Sequence, residues 1–393
     1  MSIAPLGWVG LALLVIILLL LLLWLLFEWQ YRGRAGNRLE LSQGDWHLAI
    51  REPEHYQLNG EFTAFNQTRK LDIFLTEVTA ELTLLSNGSL TDVAHQIAIA
   101  SQHPDAPGRL DNYWEAYIVK GGRTTALEIK IDIKGQNLDD LRVAWVKVSY
   151  VTYGPGGRVP KVRHCVIPLQ FPEIDSAERW RPTASSDVLP IRTHLLSVLD
   201  TPVEVMRRYV TPHAQPGDIV TIGESPLAIM QGRMRHPCDV KPGWLAKRLC
   251  YYFLPTSSLA TACGLQVLVD EAGAWRIAYA FILGAIAKAI FRTPGMFYVL
   301  AGGQARLIDD VTGTLPPYDQ FIVLGPLQAQ AVVDEILAET GLEAAIVDVN
   351  DLKAVSILAA TPGVSNEFLN QALLHNPAGN AAEQTPIVLI RPN

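Results

Sequence analysis

The sequence predicts three parts in series: an N-terminal transmembrane helix, a β-sandwich-like domain, and an α/β (α+β) domain. Three observations carry that expectation. Residues 8–27 are twenty consecutive apolar or glycine positions without a charge. Residues 39–172 alternate apolar and polar side chains between turn signals, and beyond residue 181 helical and strand patterns follow one another. The corresponding boundaries are 1–30, 31–180 and 181–393.

At about 1.5 Å per residue the apolar run reaches roughly 30 Å, the thickness of one bilayer core. No Lys or Arg precedes it, whereas a cleaved signal peptide carries a basic region before a shorter apolar stretch. Positive charge lies on the C-terminal flank at Arg32, Arg34 and Arg38, and Trp24, Trp29 and Tyr31 suit an interfacial belt. The expectation is a single-pass membrane protein with its soluble domains in the cytoplasm.

The net charge of −7 gives no basic footprint, so nucleic acid is not expected as a partner. Cys165, Cys238, Cys250 and Cys263 show no C-x-x-C spacing and are expected as buried thiols rather than disulfides. His236 two residues before Cys238 is by itself a weak zinc signal. The sequons at Asn66 and Asn87 carry no meaning in a cytoplasmic domain.

In the sandwich the clearest strand is Leu127-Glu128-Ile129-Lys130-Ile131-Asp132-Ile133, apolar on one face and charged on the other. Similar runs at 71–85 and 143–153, with turn residues at Asn87-Gly88, Gly121-Gly122 and Gly154-Pro155-Gly156-Gly157, point to antiparallel pairing. Asp45, His47 and Glu52 read as solvated strand-end residues rather than a catalytic set. Arg181-Pro182-Thr183-Ala184-Ser185-Ser186 reads as a linker.

Beyond the linker, 203–209 and 334–339 read as helical, and 218–222 and 344–347 as strands. Residues 277–287 are almost wholly apolar, but Arg276 and Lys288 bracket a run too short to span a bilayer. A buried or membrane-touching helix is expected there.

Particular blocks of this half stand in a recognisable order: Leu189-Pro190-Ile191, then Gly217-Asp218-Ile219-Val220 running without a gap to Gln231-Gly232-Arg233, then Thr340-Gly341 before an apolar strand, and finally Pro386-Ile387-Val388-Leu389-Ile390-Arg391. In this order and spacing the region from about 187 to 391 resembles the coenzyme F-420-0:gamma-glutamyl ligases. That family adds glutamate to a deazaflavin precursor, using GTP and Mg or Mn. The resemblance implies an acyl-phosphate route, in which a divalent metal neutralises phosphate oxygens.

By the same resemblance the first metal aspartate falls on Asp309, with Asp310 beside it, and the family's later Asp-Thr pair falls on Asn350-Asp351, its carboxylate displaced by one position, with Asp348 two residues before Asn350. Asp309 and Asp351 are the implied catalytic metal holders, and Asp348 and Asn350 complete or orient the metal shell. Gly217, Asp218, Gly232 and Arg233 fall on the implied nucleotide pocket, and Asn376-Pro377 lies near a family glutamine ligand. The sequence departs from the family where a Ser-Lys phosphate pair is replaced by Ala228-Ile229, and where Leu352-Lys353-Ala354 replaces Phe-Gly-Arg. The same aspartates also fit a retained fold in which they serve only as turn and strand-end residues.

Two functions from different classes follow. One is a membrane-anchored, GTP- and metal-dependent ligase acting on a small carboxylate, by resemblance a homodimer. The other is a non-catalytic binding or assembly protein that keeps the ligase fold. A deazaflavin- or flavin-binding module without ligase activity is a third, weaker reading.

Overall fold

The computed structural model describes residues 4–32, 36–106, 108–109, 111, 113–173, 179–293, 295–310, 315–349, 355–379 and 383–393. Its first element, α1 (Ala4–Arg32), contains among the described residues the one helix long and apolar enough to cross a membrane, Trp8–Tyr31. Nearly all of its apolar side chains from Trp8 onward are exposed.

Among the described residues nine strands follow, β1 (Leu39–Leu41), β2 (Asp45–Glu52), β3 (His55–Asn66), β4 (Ile73–Ser86), β5 (Ala94–Gln102), β6 (Tyr117–Val119), β7 (Thr124–Lys134), β8 (Leu141–Gly154) and β9 (Gly157–Pro168). They form two antiparallel sheets, β1-β3-β7-β5 with β2 on β3, and β6-β4-β8-β9. Period-two patterning does the sorting: Leu127, Ile129, Ile131 and Ile133 all turn into one core with Leu58, Phe62, Val146 and Val148. Gly60 is required there, because a Cβ would lie 2.7 Å from the Trp46 ring. The Asn66 amide is buried and donates to the carbonyls of Leu71 and Val119, both at 2.8 Å, so this sequon is a folding element. Asp45, His47 and Glu52 are exposed, as expected. The cysteines are free; Cys165 and Cys250 are buried, but Cys238 is exposed.

The remainder is mixed α/β. The segment read as a linker is partly a strand, because β10 (Arg181–Pro182) pairs with β11 (Ser186–Ile191). Helix α2 (Pro202–Val205), capped by the Thr201 hydroxyl, continues as a π-turn through Val210. Then come β12 (Ile219–Gly223), α3 (Glu224–Met230) and an inserted unit running from β13 (Met234–Arg235) through α4 (Trp244–Leu249), α5 (Ala262–Ala272), α6 (Ala274–Ile290), α7 (Met296–Ala301), α8 (Gln304–Leu307) and β14 (Asp309–Asp310) to β15 (Ile322–Val323). The last elements are α9 (Ala329–Thr340), β16 (Glu343–Val349), β17 (Val355–Ala360), α10 (Asn366–Leu373) and β18 (Ile387–Pro392).

The main sheet has the order β10-β11-β18-β12-β16-β17, with β12 and β16 parallel. Its central strand β18 is apolar on both faces because both faces are covered. Ile387 and Leu389 pack with Val333 and Ile336 of α9, while Val388 and Ile390 pack with Leu369 and Leu373 of α10. A further cluster joins Val143 and Val166 of the sandwich to Leu195, Ile229 and Phe321, so the sandwich abuts the wall of the cavity described next.

Candidate functional site

A cavity of about 420 Å³ opens where β12 and β16 end. Parallel strands carry their carboxyl ends to one side, where ligands of open α/β sheets usually sit. Three acids from three elements line it: Glu224 directly after β12, Asp348 near the end of β16, and Asp309 at the start of β14. A bulge between Ile346 and Val347 precedes Asp348, a device that re-aims strand residues beside a site. Arg306 of α8 lines the same cavity.

Burial and mutual repulsion set the electrostatics of the trio. Glu224 is buried, and burial, then the charges of Asp348 and Asp309, push its carboxyl up to about 8. Its Oε2 has no hydrogen-bond partner. Burial also raises Asp348. Asp309 is enclosed on most sides yet meets solvent through the cavity mouth; burial and then Asp348 raise it, against the Ser225 hydroxyl, which donates to Oδ2 at 3.1 Å. An unpaired buried carboxylate oxygen among like charges is costly. Three acids lining one cavity offer hard oxygen donors of the kind Mg²⁺ or Mn²⁺ takes, while among the described residues it is His164, His236 and Asp239 that bring three donor atoms within 4.8 Å of one another.

The sequence-predicted residues divide. Asp309 and Asp348 meet in this cavity, and Asn376 and Pro377 line it too. Asn350 and Asp351 lie outside the described residues. Asp218 sits at the opposite end of β12, buried and held by Arg391, with Gly217 beside it at φ +92°. Gly232 occupies a left-handed turn against Gln43 of the sandwich. Arg233 pairs with Glu271 at 3.1 Å and donates through Nε to the Gly325 carbonyl at 3.1 Å. None of these four lines the cavity; the middle of their segment does, through Gly223, Glu224, Ser225 and Ile229. Of the pair replacing Ser-Lys, Ala228 is fully buried and Ile229 presents only hydrocarbon.

Glu224, Ser225 and Arg306 are the residues that sequence reasoning missed. The signal for the first two is Gly223-Glu224-Ser225-Pro226, an acid and a hydroxyl between a buried strand and a helix start.

Two other polar clusters stand apart from the trio of acids, though His194 of the first also lines the cavity. His194 is buried, with Nδ1 2.7 Å from the Tyr209 hydroxyl and Nε2 2.8 Å from Asp200 Oδ1, so both ring nitrogens are engaged. His164, His236 and Asp239 bring one donor atom each within 4.8 Å of one another, across the sandwich and the inserted unit. Yet Trp145 Nε1 donates to His164 Nδ1 at 3.2 Å, and the Cys238 amide donates to His236 Nδ1 at 3.3 Å. Each neutral ring therefore carries its proton on Nε2, and His164 donates it to Asp239 at 2.8 Å. Burial, and then the neighbouring His164, lowers the His236 pKa.

Residues 40–171 match the family model described as F420-0:gamma-glutamyl ligase, N-terminal Ig-like domain. The match falls on the sandwich, outside the region 187–391 in which the sequence resemblance lies. No curated protein matches the chain. Among solved structures, the GAE domain of GGA2p from Saccharomyces cerevisiae is similar at 7% identity, covering 34% of this chain and 94% of that one, with a TM-score of 0.21. A FixG-related protein from Vibrio parahaemolyticus is similar at 11% identity over 33% of this chain and 93% of that one, with a TM-score of 0.18.

Proposed function

We propose that this chain is a membrane-anchored, gamma-glutamyl ligase-like enzyme that joins a small, deazaflavin-type carboxylate to an amine, using GTP with Mg or Mn. The observation that carries the reading is the meeting of Glu224, Asp309 and Asp348 around one cavity, with Glu224 Oε2 unpartnered. The Ig-like match over residues 40–171 supports the same family from the other half of the chain.

Asp309, Asp348 and Glu224 would hold the cation, with Asn350 and Asp351 as further ligands by resemblance. When bound, the cation neutralises phosphate oxygens and so permits an anionic carboxylate to approach them. Arg306 supplies a second positive charge for an anionic ligand. The Ser225 hydroxyl keeps Asp309 turned toward the cavity. Apolar Ile229 and buried Ala228 themselves offer phosphate neither hydroxyl nor ammonium, so positive charge for phosphate would come from Arg306 and the metal. By resemblance, Gly217, Asp218, Gly232 and Arg233 belong to the nucleotide-binding segment; their positions support a framing part rather than direct contact. The helix α1 is the proposed single anchor, with the soluble parts on the cytoplasmic side and a homodimer as the working assembly.

The test is Mn²⁺ binding to the purified full-length protein in detergent, followed by electron paramagnetic resonance with and without GTP or ATP. Binding that weakens in both Asp309→Asn and Asp348→Asn, and tightens with one nucleotide, supports the ligase. A folded protein that takes up neither metal nor nucleotide favours the second reading, a non-catalytic assembly protein, for which Ala228 and Ile229 are the specific motive.

A further inference from the structure

The inserted unit carries an exposed apolar face that the fold does not explain. On α6 the exposed side chains Trp275, Tyr279, Ile282, Ile286 and Ile290 recur at helical spacing and form one stripe. Trp275 is 91% exposed. Tyr251 and Tyr252, on the 3₁₀ turn after α4, and Leu254 beyond it add to this display, with Tyr251 86% exposed. Aromatic and branched apolar side chains displayed together mark a contact surface rather than ordinary scatter.

Charge identifies the partner. From α4 to α7, residues 244–301 hold five Lys and Arg against two acids, in a chain whose net charge is −7. The two acids are neutralised locally, Asp270 by Arg235 at 2.8 Å and Glu271 by Arg233 at 3.1 Å. Lys247, Arg248, Lys288 and Arg292 are exposed, and the Arg248 guanidinium lies 4.6 Å from the Trp244 ring centroid. Aromatics with basic residues around them suit the headgroup layer of an anionic bilayer, where rings straddle the polar boundary and cations meet lipid phosphates. A two-fold contact between copies through this face would instead set like charges against like.

Geometry favours lying in the bilayer surface over crossing it. α5 and α6 meet at 113°, with Gly273 at φ +89° between them, so they do not form one straight span. The 17 residues of α6 reach only about 25 Å. Between α1 and β1 stand only residues 33–38, which fully extended reach about 20 Å, so the folded part stays near any membrane that α1 crosses.

We infer that the α4–α7 face of the inserted unit docks in the plane of an anionic membrane, the same membrane that α1 enters. The inference rests on the anchor reading of α1, and the test separates the two. Full-length protein is reconstituted into nanodiscs that contain a photoactivatable phosphatidylcholine, with phosphatidylserine present or absent, and the lipid adducts are mapped by mass spectrometry. Adducts are expected on peptides covering 275–291 and 251–254 as well as on α1, with more on the first two when phosphatidylserine is present. In the double variant Trp275→Glu with Ile286→Glu, both exposed and outside the core, those adducts fall several-fold while the α1 adducts persist. Adducts on α1 alone overturn the inference and leave the anchor standing. Adducts on neither overturn both. Protein–protein cross-links between copies of 275–291 in place of lipid adducts overturn it in favour of a dimer face.

Discussion

Arg391 grips Asp218 through two parallel hydrogen bonds, Nε to Oδ1 at 3.0 Å and Nη2 to Oδ2 at 2.7 Å, and so welds the amino end of β12 to the end of β18. The same guanidinium donates to the His213 carbonyl and lies over the Trp180 ring, 4.2 Å from its centroid. Removing it strands a buried carboxylate. Arg391→Ala should destabilise the main sheet by about 3 kcal/mol, at the low end for a broken buried pair because the Gln215 amide still donates to Asp218. Denaturant unfolding checks this, and unchanged stability would show the pair to be idle.

Glu224 sets a pH dependence. Its folded pKa, up to about 8, lies above the ordinary 4.5, so folding favours the protonated form. The unfolded chain releases that proton first as pH rises. Stability of the metal-free protein should therefore fall between about pH 4.5 and 8, by at most about 1.4 kcal/mol per pH unit from this group. Glu224→Gln should flatten that slope, measured by thermal melts across the range in EDTA.

His236 acts with the opposite sign. Its folded pKa is lowered, so the unfolded chain takes up a proton first and stability is lost as pH falls below the ordinary 6.5. His236→Gln should remove part of the acid-side loss without changing the loss above neutral pH.

Asp309→Asn and Asp348→Asn should each weaken Mn²⁺ binding by more than the roughly 10–100-fold typical of losing an outer-shell partner. Isothermal titration measures it, and wild-type affinity in both variants would remove the trio from metal binding. Metal uptake by the wild type should release protons below about pH 8, because Glu224 must ionise to bind.

Arg306→Ala and Arg233→Ala should separate function from frame. Arg306 lines the cavity, so its loss should raise the KM or Kd for an anionic ligand with little change in melting temperature. Arg233 is engaged with Glu271 and Gly325, so its loss should lower the melting temperature first.

The sandwich was legible where a strand states its own two faces: the alternation at 127–133 is local, and the observed burial follows it, whereas β5 and β9 show no such alternation. The central β18 was legible from its short apolar run, Ile387-Val388-Leu389-Ile390. The linker at 181–186 was misread because strand pairing of Arg181 with Val188 depends on a partner that composition does not reveal. The cavity was half legible. Asp309 and Asp348 came from motif order, but Glu224 joins them only because β12 and β16 pair in parallel across some 120 residues of chain, from Ile219↔Glu343 to Gly223↔Val347. Local pattern contains no trace of that pairing. The cofactor segment read around Gly217 and Arg233 followed glycines and cations whose observed work is turn geometry and ion pairing.

The place of β18 between β11 and β12 has a consequence for how the protein is made. Its first residue, Ile387, is translated 164 positions after β12 ends at Gly223. At about 5–20 residues per second, a ribosome takes on the order of 10–30 s to cover that distance. Through that interval two strands that will become neighbours of β18 have a gap where it belongs, and their backbone donors and acceptors are open to any passing extended peptide. With α1 inserted as proposed, the nascent chain would wait out this interval held at a membrane, so its yield should depend on chaperones that shield β-edges and should fall when elongation is slowed downstream of residue 223.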